Sequence, residues 1–297
     1  MKGIEVSTGN CSPGTPIRAC SSGIARVIAV TSGKGGVGKT TVAINLAAAW
    51  ASLGRSVTLL DADLGLGNVA VMLGLHSGRN LSHVLDEECS VQDIILRGPN
   101  GIRVIPAASG CTRAASLGSA QHAGLIHACE ALAELTDVLI IDTASGVSDN
   151  VLRICSAAQE VLIVVRNDPA SIAGAFAIVR ILNCEYGVCR FRVLANHAED
   201  SVAGSAAVDK LRRLAEPYLD VVLDLIGAIP QEPRLVTLLQ QQRALYSCYP
   251  ESMAGQAFRN LARRADRWPI PSGGRGMLEF FSESLVGFKR PTPPIGL

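Results

Sequence analysis

Aromatic side chains are scarce: Phe, Trp and Tyr together make up 4% of the 297 residues. So few rings argue against recognition of nucleic-acid bases by stacking. Charge is also scarce, at 18% of residues, and nearly balanced, with 27 Lys and Arg against 26 Asp and Glu, a net of +1. Such a molecule has no overall field to gather a polyanion, which argues against direct DNA binding. The nine cysteines contain no C-x-x-C, and the nearest pair is Cys184 and Cys189. An odd, scattered set excludes a disulfide framework and reads as thiols in a reducing compartment. The five histidines are dispersed and form no ligand cluster. No apolar run reaches the roughly 18 residues of a spanning helix. The N-terminus lacks the compact apolar core of a secretory signal. The expected location is cytoplasmic.

What the chain does have is apolar material, 48% of its residues, enough for one large core. Residues 1–23 are rich in Gly, Ser, Pro and Thr without periodicity and read as a flexible tail. Short runs rich in Val, Ile and Leu follow at Arg26–Val30, Ser56–Leu60, Ile102–Ile105, Val138–Ile141, Val161–Val165, Phe191–Ala195 and Leu223–Ile229. They do not alternate with polar residues, as befits strands covered on both faces. Helical stretches such as Thr40–Ser52, His122–Leu135, Ser171–Leu182 and Val202–Leu214 lie between them. The expected fold is a doubly wound α/β domain over residues 24–268: a mostly parallel sheet of about seven or eight strands with helices on both faces. Pro269, Pro271, Gly273 and Gly274 then break the chain before a last segment, 269–297.

The first run leads into Gly33-Lys34-Gly35-Gly36-Val37-Gly38-Lys39-Thr40, which fits G-x-x-x-x-G-K-[ST] between a strand and a helix. Glycines let backbone N–H groups turn inward around phosphates, and the helix N-terminus adds positive potential. The pattern predicts a nucleoside-triphosphate site in which Lys39 reaches the β- and γ-phosphates, Thr40 ligates Mg²⁺ and Thr41 extends the contact; the resemblance described next implies that the nucleotide is ATP. Three further acids stand where an α/β sheet places its chemistry, at strand ends: the pair Asp61 and Asp63, and Asp142.

Lys34, directly after the first glycine, resembles the signature lysine of the MinD/ParA family of deviant Walker A ATPases. That resemblance implies that Lys34 reaches the nucleotide of a second subunit in an ATP-bound homodimer and stabilises charge during hydrolysis. It implies that Asp63 orients the attacking water and that Asp61 supports the Mg²⁺ shell. Val138–Ile141 running into Asp142 resembles a Walker B strand, whose acid holds Mg²⁺. The family places an asparagine like Asn196 against the adenine edge, and the turn at Pro230 resembles its second adenine-side loop. Asn196 also reads simply as a turn residue after a strand.

Outside the nucleotide motifs the chain is similar to the FlhG/FleN group of flagellar-number regulators. The similar blocks are Asp61–Val69, Gly98–Gly110, Ala157–Leu162, Phe191–Asn196, Asp266–Pro269 and Leu278–Phe281. The resemblance spans residues 27–286. It implies an ATP-dependent dimer associated with the inner membrane and positioned at the cell pole. Such a dimer restrains flagellar number by antagonising a σ54-dependent master activator and by working against an FlhF-type GTPase. Two departures stand out. The N-terminal D-Q-A-x-x-L-R stretch that acts on the GTPase in some members is missing. Residues 167–176 read Asn-Asp-Pro-Ala-Ser-Ile-Ala-Gly-Ala-Phe where members usually have Asp-Glu-Pro-Thr-Ser-Ile-Thr-Asp-Ala-Tyr.

Leu278, Phe281, Leu285 and Phe288 fall on one helical face, followed by Lys289 and Arg290. A short amphipathic helix of this kind lies in a membrane interface or packs on the protein's own surface. The sequence also admits two other readings of the whole chain. A ParA-type partition or positioning ATPase acting on DNA or another cargo would need a basic face, for which Arg212, Arg213, Arg259, Arg263 and Arg264 are the candidates. A metal-cluster protein of the same fold would need cysteines beside Asp142, and there are none.

Overall fold

The computed structural model describes residues 26–63, 67–86, 88–107, 132 and 135–269. The expected tail 1–23, most of the expected helix His122–Leu135 and the stripe Leu278, Phe281, Leu285 and Phe288 lie outside the described residues.

Eight strands form one sheet: β1 Arg26–Thr31, β2 Val57–Ala62, β3 Leu96–Arg97, β4 Arg103–Ile105, β5 Val138–Thr143, β6 Glu160–Val165, β7 Arg190–Ala198 and β8 Val222–Pro230. Their spatial order is β3-β4-β2-β5-β1-β6-β7-β8. Every pairing is parallel except β3 with β4. The seven expected strands are all present. The eighth, β3, is only two residues long and leaves no periodic signal in the sequence.

Helices α1 (Lys39–Ser52), α2 (Asn68–Met72) and α3 (Leu81–Leu85) precede the middle of the sheet. After β5 come α4 (Asp149–Ala157), α5 (Pro169–Tyr186) and α6 (Ser201–Ala215). The chain then adds α7 (Leu235–Gln240), α8 (Leu245–Cys248) and α9 (Met253–Ala265).

Central strands feed two cores. Along β1, Val27 and Ala29 join one cluster with Val151, Ile178 and Val208 of α4, α5 and α6. Ile28 and Val30 join the other with Val42, Leu46 and Trp50 of α1 and Phe258 of α9. Side chains alternate across a strand, so an unbroken apolar run supplies both layers at once. Helix α1 is buried from Val42 to Trp50, and Ala47, Ala48 and Ala49 let its neighbours approach closely. Asn45, the polar residue within that stretch, is satisfied: Nδ2 donates to the Thr41 carbonyl and Oδ1 accepts the Tyr246 N–H at the start of α8.

The parallel arrangement aligns the C-terminal ends of β1, β2, β5, β7 and β8 on one rim. The opposite rim carries an ion network. Arg192 on β7 donates to Glu160 on β6 at 2.8 and 3.1 Å and to Asp224 on β8 at 2.7 Å. Trp268, just past α9, stacks on the Arg192 guanidinium 4.6 Å from its ring centre, and Arg26 donates to the Trp268 carbonyl.

Candidate active site

Gly33–Thr40 joins β1 to α1 at the C-terminal rim, and three of its glycines answer to the geometry. Gly36 and Gly38 have φ of 76° and 90°, a left-handed backbone that glycine adopts at little cost. Gly38 caps α1. A Cβ on Gly38 would also lie 2.4 Å from Asn196 Nδ2. Gly33 is pressed against α5, where an added Cβ would stand 1.9 Å from the Gly174 carbonyl carbon. Conversely, a Cβ on Gly174 would come 2.8 Å from the Gly33 carbonyl carbon.

Asn196, at the end of β7, donates its amide to the Val37 carbonyl at 2.7 Å, with 7% of the residue exposed. Expected against an adenine edge, it is placed by the structure as a brace under the phosphate loop. Pro230 closes β8 on the same rim, paired with Ala198 of β7. The loop is tied to β5's exit as well: Gly146 N–H donates to the Ser32 carbonyl at 2.8 Å.

Lys39 is buried and its ammonium lies 2.8 Å from Asp142 Oδ1. Burial pushes the Asp142 carboxyl up from its ordinary range, opposed by Lys39 and by the Thr40 hydroxyl. Its second oxygen, Oδ2, is buried without a hydrogen-bond partner. A buried carboxylate oxygen left over beside a phosphate loop fits a cation shell, since an orphaned acceptor is otherwise costly. Among the described residues no cluster of three or more His, Cys, Asp or Glu forms a metal cage. A sparse set of one strand-end carboxylate and one hydroxyl suits Mg²⁺, which keeps most of its waters and takes oxygens from substrate phosphates.

Asp61 stands beside Asp142 at the rim. It is the register partner of Asp142 across β2 and β5 and is fully buried. Both its oxygens are committed to backbone: Oδ1 accepts the Asp63 N–H at 3.1 Å and Oδ2 the Val69 N–H at 2.9 Å. It staples the two sides of the segment after β2. Burial raises its pKa to about 6, against the lowering effect of those two N–H groups and with a further push from Asp142. Asp63 is half-buried beside it, its backbone N–H held by that staple.

Lys34 lies on the surface, and its ammonium pairs with Asp168 at 3.1 Å. Asp168 Oδ1 also accepts the Ser171 N–H and so caps α5. That cap, followed by Lys34, holds the Asp168 carboxyl below its usual range. Lys34 is 46% exposed, so the pair is worth at most about 1 kcal/mol. Asp168 and Gly174 are the two residues of this region that the sequence did not flag for a role. An acid before Pro and Ser does read as a helix cap, but nothing signals its ion-pair partner 134 residues away.

The loop, the buried lysine and the strand-end acids define a P-loop ATPase. A family model described as ParA: NUBPL iron-transfer P-loop NTPase matches residues 23–265, and the chain belongs to this family. It is 49% identical over 261 residues to the antiactivator FleN of Pseudomonas aeruginosa, covering 88% of this chain and 93% of that protein. It is 28% identical to the flagellum site-determining protein YlxH of Helicobacter pylori, over 90% of each chain. Its fold matches MinD of Pyrococcus horikoshii, solved with Mg-ADP, at a TM-score of 0.65 and 23% identity, over 82% of this chain and 97% of that one. The protein is a P-loop ATPase of the ParA family with a MinD-like fold.

Proposed function

We propose that this ATPase forms a homodimer in its ATP state and restrains flagellar number by antagonising a σ54-dependent master activator. The observation that carries this reading is the likeness to FleN across 88% of the chain, joined to a lysine at position 34 held by only a weak surface ion pair. An FlhF-type GTPase and inner-membrane lipid, the latter met through residues 278–288, are the further proposed partners. Action at a cell pole belongs to the same proposal.

The proposed chemistry follows from the charges already present. Lys39 leaves Asp142 to hold the β- and γ-phosphates. Asp142, deprived of its counter-charge in a buried position, then works with Thr40 in holding Mg²⁺. When bound, Mg²⁺ supplies Lewis-acid neutralisation of the phosphate oxygens. Asp63, its backbone N–H held by the Asp61 staple, orients water toward the γ-phosphate. Lys34 exchanges Asp168 for the nucleotide of the second subunit, where a cation stabilises the charge of the transferring phosphoryl group. Loss of the γ-phosphate removes what Lys34 was reaching for, and the pair of subunits separates.

Two measurements test this. Deleting the gene should give cells with extra flagella, counted by electron microscopy, and wild type but not Lys39→Ala should restore the number. Unchanged flagella would end the flagellar reading and leave the ATPase standing. Separately, Lys34→Ala should bind ATP yet show only monomer by light scattering; an ATP dimer in that variant would remove Lys34 from the subunit contact.

A further inference from the structure

Helix α9 buries Ala254, Phe258, Leu261, Ala262 and Ala265 against α1 and the sheet. Its sequence from Met253 to Ala265 contains no acid. Arg263 and Arg264 point outward, Arg267 continues the same face, and all three are exposed. None of the three makes an ion pair among the described residues. Arg259 and Arg55 flank them, held by Glu251 at 2.7 Å and by Asp266 at 3.4 Å. Five arginines therefore meet two carboxylates on one face of a molecule whose total charge is +1. Beside this face is a recess of about 320 Å³, lined by Arg259, Arg263, Tyr246, Ser52, Ser247 and Asn100. Ser52 is engaged with the Ala49 carbonyl and Tyr246, Ser247 with Asn100, and Arg259 with Tyr246 and Glu251, so Arg263 is the guanidinium at this recess free to meet a phosphate.

The position of this face decides what it meets. The chain leaves α9 through Trp268, which is fixed by stacking on Arg192 and by the Arg26 bond to its carbonyl. From Pro269 to Leu278 is nine residues, a reach of at most about 30 Å. The apolar stripe Leu278, Phe281, Leu285 and Phe288, with Lys289 and Arg290 after it, is thus tethered beside the arginines.

We propose that the arginine face of α9 rests on an acidic phospholipid surface, so that the folded domain reads the charge of the leaflet alongside residues 278–288. This rests on the reading of those residues as membrane-seeking. A lipid surface fits better than duplex DNA, because DNA has no use for the apolar stripe and a net charge of +1 does not collect a polyanion from a distance. The glutamates at 279 and 283 would weaken the stripe's own attraction to acidic lipid. The α9 arginines restore it.

The test is flotation of the full chain, with ATP, on phosphatidylcholine vesicles with and without phosphatidylglycerol. Wild type should prefer the acidic vesicles, and salt should erase the preference. One arginine near an acidic leaflet is worth on the order of fivefold in partitioning, so the triple variant Arg263→Gln, Arg264→Gln, Arg267→Gln should lose roughly 100-fold at low salt. Its ATPase rate should be unchanged, because all three residues are exposed, unpaired and far from the phosphate loop. Phe281→Glu should lose binding to both vesicle types. Should the triple variant keep the wild-type preference, the α9 proposal falls while the C-terminal reading survives. Should Phe281→Glu float like wild type, the C-terminal reading falls and joint action with it. Arginine-dependent binding to a labelled DNA duplex, with no flotation, would assign the face to nucleic acid and overturn the proposal.

Discussion

Asp61→Asn isolates the cost of keeping a carboxylate buried behind the phosphate loop. In the folded chain the Asp61 pKa rises from 3.8 to about 6, chiefly through burial. A raised acid binds its proton more tightly when folded, so between the two values the native state holds more protons than the unfolded one. Stability must then fall as pH rises through this window. The full shift of roughly two units corresponds to about 3 kcal/mol, of which about 2 kcal/mol falls between pH 4.5 and 7.5. Asparagine has nearly the same shape but does not titrate. It can accept only one of the two N–H bonds now made by Asp63 and Val69, a pH-independent penalty of about 1–3 kcal/mol. The informative quantity is the difference in unfolding free energy between wild type and variant, measured by urea denaturation across that pH range. Groups common to both proteins, Asp142 included, cancel to first order. The difference should move in the variant's favour by about 2 kcal/mol from pH 4.5 to 7.5. A flat difference would show that the Asp61 carboxyl is solvated, and the account of it as a buried staple would be wrong.

Other outcomes follow from single contacts. Gly33→Ala places a Cβ 1.9 Å from the Gly174 carbonyl carbon, so the loop must move. Overpacking of this kind costs about 1–3 kcal/mol and should abolish binding of a fluorescent ATP analogue. Asn196→Ala removes the donor to the Val37 carbonyl. If the residue only braces the loop, affinity for ATP and GTP should fall together by a similar factor; loss of ATP-over-GTP preference alone would make Asn196 a reader of the base.

The fold was legible because its strands are buried on both faces. A run such as Val27–Val30 has no other reason to lack polar residues, and the four residues divide evenly between the two cores. Helix α9 was legible in principle, since Ala254, Phe258, Leu261, Ala262 and Ala265 repeat at helical spacing, although the sequence reading did not single it out. Strand β3 was not, because two residues carry no period. The site divides in the same way. Gly33–Thr40 announces itself since one contiguous stretch supplies all of its geometry. The Asp61 and Asp63 pair shows that acids stand at a strand end but not which of them is consumed by backbone N–H groups, for that depends on where residue 69 returns. Lys34 with Asp168, and Gly33 with Gly174, are proximities created by folding α5 against β1, and a linear pattern holds no trace of them. Gly174 also stands where the resembling proteins carry aspartate. In this chain the space an aspartate would fill belongs to the phosphate loop itself.

The stacking of Trp268 on Arg192 has a practical consequence for anyone shortening this chain. Arg192 and Glu160 are each less than a tenth exposed, and the tryptophan is part of what keeps water from them. A chain cut at Ala265 would uncover that charged pair and release Arg26 from the Trp268 carbonyl. A chain cut after Pro269 would keep both contacts. The natural place to graft a tag or a reporter is therefore after Pro269, and a difference in melting temperature between the two truncations would measure how much of the domain's cohesion residues 266–269 provide.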